Sequence, residues 1–151
     1  MKYIFLVLCI HCSIAGFAQP EAVKANSLKD VFVQAATAGA LKDSCTSLEV
    51  RVEIVFSGNV QVILPKRVKQ LNNLISHCSF KSSHNWTKGH SELSVLEDEN
   101  RYWLQLEPEA ADKILSKYKM GDKLVVSGRI LTWHTNPATS FLLVDKFEPL
   151  N

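Results

Sequence analysis

LEVRVEIVFSGNVQVIL, residues 48–64, is the stretch on which the fold turns. Leu48, Val50, Val52, Ile54 and Phe56 alternate with Glu49, Arg51 and Glu53, so one face of an extended segment is dry and the other wet. Ser57-Gly58-Asn59 interrupts the pattern, and Val60 to Leu64 resumes it before Pro65 closes the segment. Two geometries satisfy this spacing. One is a tight hairpin of two strands. The other is a single long strand bent where Gly58 permits a bulge.

Downstream, Val68, Leu71, Leu74 and Ile75 fall at helical spacing, and a polar loop follows that carries His84, Trp86, Lys88 and His90. Residues 91–96 and 101–106 flank the acidic turn Glu97-Asp98-Glu99-Asn100 and read as a hairpin. Pro108 suits the first turn of a helix over 109–119. Glu109 and Asp112 lie near its start and Lys117 and Lys119 near its end, which suits the helix dipole. Ala111, Ile114, Leu115 and Tyr118 give that helix an apolar face, and Gly121 stops it. Strands at 123–131 and 140–147 close the chain around the loop TWHTNPAT. Upstream, Ser27 caps a helix over 28–38 with Leu28, Val31, Phe32 and Ala35 on one face. Residues 19–25 are polar and offer no pattern of their own.

The first 18 residues read as a secretory leader. Lys2 supplies a positive charge, Tyr3 to Ile10 an apolar run, and Gly16-Phe17-Ala18 small residues before the cut. The apolar run is shorter than the roughly 20 residues that span a bilayer. The expected organisation is therefore a signal peptide at 1–18, a helical segment at 19–46 and one β-barrel domain at 47–151, in a protein secreted or held in a periplasm. Without the leader, Cys45 and Cys78 are the remaining cysteines of the four. An isolated pair in an oxidising compartment is read as one disulfide, with two buried thiols as the alternative. Asn85-Trp86-Thr87 forms a glycosylation sequon, which has meaning only in a eukaryotic source.

If residues 48–64 are one bent strand, the order is strand, strand, strand, helix, strand, strand. Residues 118–130, YKMGDKLVVSGRI, then resemble the helix exit and fourth strand of OB-fold proteins, and residues 141–150, FLLVDKFEPL, are similar to their closing strand. The resemblance is to small exported bacterial members of that superfamily and covers roughly residues 91–150. It implies a mainly β domain, a five-stranded barrel with a helix between its third and fourth strands and a further helix at its amino-terminal side. The insertion at 66–90 departs from the usual short first loop. A six-stranded open barrel or a sandwich is the alternative architecture.

OB folds bind along their second and third strands, between the first-to-second and fourth-to-fifth loops. On that resemblance the ligand-binding set is Trp86, Arg101, Trp103, Gln105, Trp133 and His134. Arg101, Trp103 and Gln105 fall on the side of their strand away from Leu104 and Leu106, as an outward strip or as the seat of the amino-terminal helix. The loop tryptophans serve either as stacking platforms or as caps on the barrel end. No HExxH, no Cys/His quartet, no nucleophile beside a base and no glycine-rich phosphate loop occurs, so the expectation is a non-enzymatic module without metal or cofactor. Its partner would be a protein, peptide or oligosaccharide. A net charge near +1 without Lys2, from 17 basic and 15 acidic residues in the whole chain, argues against nucleic acid. Single-stranded nucleic acid is the alternative on fold analogy alone. Lys66-Arg67-Val68-Lys69 is the one local basic cluster and reads as a solvated loop or helix start.

Overall fold

A computed structural model describes residues 23–38, 42–80, 90–135 and 138–150. The leader, Trp86 and the sequon lie outside these residues. The chain is mainly β, with β1 (Val23–Ala25), α1 (Leu28–Thr37), β2 (Cys45–Val55), β3 (Val60–Val62), α2 (Pro65–His77), β4 (Ser91–Glu97), β5 (Asn100–Leu106), α3 (Pro108–Lys117), β6 (Lys123–Trp133) and β7 (Thr139–Pro149). All seven strands form one mixed sheet in the order β1-β2-β6-β7-β5-β4-β3.

The hairpin alternative for residues 48–64 is overturned. β2 pairs with β6 along its whole length, from Cys45↔Trp133 to Val55↔Lys123, whereas β3 pairs with β4. The two strands therefore have different neighbours, and residues 56–59 carry the chain between them. Gly58 takes a φ of +70°, which a side chain resists, and this is where the strand turns. Phe56 donates its N–H to the Asp122 carbonyl and accepts from Gly121, and Ser94 donates to the Asn59 carbonyl. The strand count differs from the expected five because the bend divides 48–64 and because β1 is added. Residues 23–25, expected to have no element, run parallel to β2 and satisfy its open edge.

The hairpin β4–β5 turns through Asp98 and Glu99, both at positive φ, which matches the twist of the flanking strands. β5 then pairs in parallel with β7 through Leu104↔Leu142 and Gln105↔Leu143. β6 and β7 are antiparallel with a register shift between Ser127 and Gly128.

Strand alternation builds two cores on opposite faces of the sheet. The larger contains Val50, Val52, Ile54, Leu93, Val95, Leu104, Leu106, Leu124, Val126, Ile130 and Leu142, with Leu28, Val31 and Ala35 of α1 and Ala111 and Ile114 of α3 packed into it. α3 ends at Lys117, two residues short of the expected limit, and Leu115 is exposed. α1 starts on Ser27, whose hydroxyl accepts from the Asp30 N–H at 3.0 Å. The Glu97 carboxylate accepts from the Leu28 and Lys29 N–H groups, tying that helix start to β4. Nearby, burial first and then Glu97, Asp98 and Asp30 push the Tyr102 phenol above its ordinary range. Stability linked to that group is full below the ordinary tyrosine pKa and is lost as pH rises through the raised one. An alkaline titration followed at 295 nm should show Tyr102 ionising later than a free tyrosine, an effect that Tyr102→Phe removes.

The smaller core lies on the other face. Leu71 and Leu74 of α2 meet Ile63, Leu131, Phe141 and Leu143, with Val68, Ile75, Phe80 and Trp133 around them. Pro65, rather than merely ending a strand, occupies the first turn of this helix. A disulfide joins Cys78, just past the helix, to Cys45 at the start of β2 across 33 residues of chain. Closing a loop of that length is worth about 3–4 kcal/mol through the unfolded chain. Cys45→Ser with Cys78→Ser should lower the unfolding free energy by about that amount in a denaturant titration, and added dithiothreitol should do the same to the native chain. Among the described residues no helix is long and apolar enough to cross a membrane.

Candidate functional site

The hairpin register decides which side chains share a face. Glu92 is opposite Gln105, Ser94 opposite Trp103 and Leu96 opposite Arg101. Their neighbours Leu93, Val95, Leu104 and Leu106 fill the larger core, so these six lie on the outer face.

The outer face is not uniformly open. Toward the hairpin tip, Leu96 is 65% exposed and Arg101 is exposed. Trp103 is half-buried in the middle. Beyond it Glu92 and Gln105 are fully buried. The expected exposed strip is thus corrected at Gln105. Its amide donates to Glu92 Oε1 at 3.1 Å beneath the start of α2. The expected alternative, that α1 sits on this strip, is corrected as well: α1 packs into the larger core and α2 covers the outer face.

Arg67, in the first turn of α2, reaches down into the site. Its Nε donates to Glu92 Oε1 at 2.5 Å. Its Cζ stands 5.4 Å from the centre of the Trp103 ring and 5.7 Å from that of Phe141, within range of a cation–π attraction. Arg101 approaches the same indole at 5.8 Å. Trp103 therefore has two guanidinium groups within 6 Å of its ring centre, one engaged with a carboxylate and the other, among the described residues, without an ion pair. Polar satisfaction beneath α2 is incomplete. Glu92 Oε2, Gln105 Oε1, Asn72 Oδ1 and Trp133 Nε1 are buried with no hydrogen-bond partner among the described residues.

The remaining predicted residues do not join this site. Trp133 stacks on His77, with ring centres 4.2 Å apart, and belongs to the smaller core. Arg67 and His77 are ten residues apart, so the two indoles mark positions about 15 Å apart along α2. His134 is 9% exposed, with Nε2 2.6 Å from Thr46 Oγ1. Its N–H donates to the Ser44 carbonyl, and its carbonyl accepts from Asp43. Trp133 thus packs the end of β6 against α2, and His134 ties it to the start of β2. Such contacts are of the kind that the capping alternative describes.

Sequence reasoning passed over Arg67, Glu92 and Phe141. Arg67 was one charge in a basic run, and Glu92 one of several scattered carboxylates. Pairing residues 91–97 against 100–106 around the acidic turn would have set Glu92 against Gln105. Nothing local to Arg67 points to its contacts, which depend on where α2 docks.

A second concavity, about 410 Å³, lies between α3 and β7, with Ala110, Ile114, Tyr118 and Phe147 as its apolar lining and Lys113 and Lys117 at its rim. Its size suits a small molecule. Among the described residues no three His, Cys, Asp or Glu side chains gather to hold a metal ion. No protein-family model matches the chain, and no curated protein matches it in sequence.

Proposed function

We propose that this chain is an exported, non-enzymatic binding module on an OB-like barrel. Its ligand, a protein, peptide or oligosaccharide, lies on the outer face of β4 and β5 at Trp103 and Arg101. One observation carries the choice of face: Trp103 is a half-exposed aromatic flanked by guanidinium groups, with Leu96 exposed beside Arg101. Aromatics and arginines of this kind supply much of the energy at binding surfaces.

Support for the barrel comes from connectivity. With β2 and β3 counted as one bent strand, the order becomes first, fourth, fifth, third, second, returning to the first, and the third and fifth strands are parallel. Only residues 56–59 separate the two parts of that bent strand. A crevice of about 170 Å³ is lined both by Glu53–Val55 of β2 and by Val95–Glu97 of β4, so strands far apart in the ladder are near in space. Support for export comes from the leader pattern and from the Cys45–Cys78 disulfide, which suits an oxidising compartment.

The test uses residues 19–151 against a displayed peptide library and an oligosaccharide array. For the tightest binder recovered, Trp103→Ala should weaken affinity tenfold or more, about 1.4 kcal/mol, in a variant whose far-ultraviolet spectrum is unchanged. Unchanged affinity would place the ligand elsewhere. Loss of the folded spectrum would make Trp103 a packing residue.

A further inference from the structure

We infer that Trp103, Phe141, Glu92 and Gln105 form a cage for a guanidinium group, filled by the chain's own Arg67, and that the external partner presents an arginine side chain to the same cage. The inference rests on the outer β4–β5 face being the ligand face, and it names the partner's chemistry.

Each wall of the cage favours a flat cation. Two aromatic rings stand within 6 Å of the guanidinium carbon. A fully buried carboxylate provides the countercharge at 2.5 Å. Yet Arg67 uses the cage incompletely. It gives Glu92 only Nε, and that bond falls on Oε1, which already accepts from Gln105. Among the described residues, Glu92 Oε2 and Gln105 Oε1 are left without donors. A guanidinium carries five N–H donors in a planar fork and binds a carboxylate best through two parallel bonds. Held by its helix, Arg67 makes one. An arginine entering end-on could make both. An ammonium, as a point charge without a plane, matches neither the fork nor the rings as well.

Arg67 also sits where it can leave. Leu64, at the start of α2, offers no side-chain cap. Lys66, Arg67 and Lys69 crowd positive charge at the positive end of the helix dipole, which weakens that first turn. The other end of α2 is fastened by the disulfide, so the first turn can fray while the rest of the helix holds its place. Once displaced, Arg67 joins the exposed Lys66, Lys69 and Arg101 in a local excess of positive charge, which favours an anionic neighbour. The partner is therefore a peptide in which the arginine is flanked by acidic residues, so that Glu92 and the displaced Arg67 each regain an ion pair.

Two measurements test this. In Arg67→Ala, ethylguanidinium chloride below 20 mM should raise the unfolding midpoint, with half-saturation at least fivefold below that of ethylammonium chloride. The native chain and the Arg67→Ala/Glu92→Gln variant should not respond. If Arg67→Ala is unfolded alone, recovery of its far-ultraviolet spectrum by ethylguanidinium is the same readout. Equal effects of the two cations, or no effect, overturn the cage. In the native chain with Trp86→Phe and Trp133→Phe, acetyl-Glu-Arg-Glu-amide should change Trp103 fluorescence at tenfold lower concentration than acetyl-Glu-Lys-Glu-amide. Parity between the peptides, or silence from both, overturns the partner assignment. If these fail while Trp103→Ala still weakens a ligand from the library, the face stands without the cage. If library ligands also ignore Trp103→Ala, the face fails too.

Discussion

Gly128→Ala is expected to cost about 3 kcal/mol or more and to leave little folded protein at 37 °C. A Cβ at this position would meet the Leu143 carbonyl oxygen at 2.1 Å and the Val144 Cα at 3.0 Å. Both obstacles are backbone, so no side-chain rotation relieves them, and the site lies at the register shift that joins β6 to β7. The strands must separate locally, in a pairing that carries Ile130, Leu142 and Val144 of the larger core. Overpacking in a closed interior costs about 1–3 kcal/mol and more where only the main chain can move. Domains of this size are stable by about 5–15 kcal/mol in all, so the loss is a large fraction. Gly121→Ala is the control. Its φ of +94° is strained for alanine, but the space around it is open, and the cost should stay near 1–2 kcal/mol. Midpoints in a guanidinium titration compare the two, and equal stability of Gly128→Ala and the native chain would contradict this geometry.

The second large effect is expected at Arg67. Its removal leaves Glu92 fully buried with the Gln105 amide as its remaining donor among the described residues. Breaking one side of a buried ion pair costs about 3–5 kcal/mol, because a charge is stranded away from water. Arg67→Ala should therefore fall by that amount in unfolding free energy. Replacing both members with apolar residues of similar length, Arg67→Met and Glu92→Leu, should recover most of the loss. Non-additivity between the single and double variants measures the coupling. If Arg67→Ala costs under 1 kcal/mol, the pair behaves as a surface contact and the tight packing at the start of α2 is wrong.

How much of this was legible in the sequence varies from element to element. Periodicity identified every long element, because alternation in 48–56 and 101–106 and the three-to-four spacing of Val68, Leu71, Leu74 and Ile75 reflect burial directly. It could not decide the bend at Gly58, since a hairpin and a bent strand share one pattern and differ only in distant partners. β1 was invisible because three residues pairing through their backbone need no side-chain signature. At the site, alternation put Arg101, Trp103 and Gln105 on one face but left open whether that face is an exposed strip or the seat of a helix, and named α1 as the helix. A sheet covered on both sides leaves that choice open, and here α2 brings its own apolar stripe onto Phe141 and Leu143. Cys78 fastened to Cys45 was the available hint that residues 66–78 lie against the sheet. The Trp133-His134 pair sat in a loop by its neighbours, Thr132 and Thr135, and its burial depends on contacts with His77 and Thr46 that no local spacing encodes.

Hydrogen–deuterium exchange of residues 19–151, with and without the tightest ligand recovered from the peptide or oligosaccharide panel, discriminates most directly between the working surfaces. Slowed exchange is predicted in β4 and β5, with the α3–β7 cleft unchanged. Protection confined to Pro108–Lys117 and the facing part of β7, with the Trp103 hairpin unaffected, would contradict it.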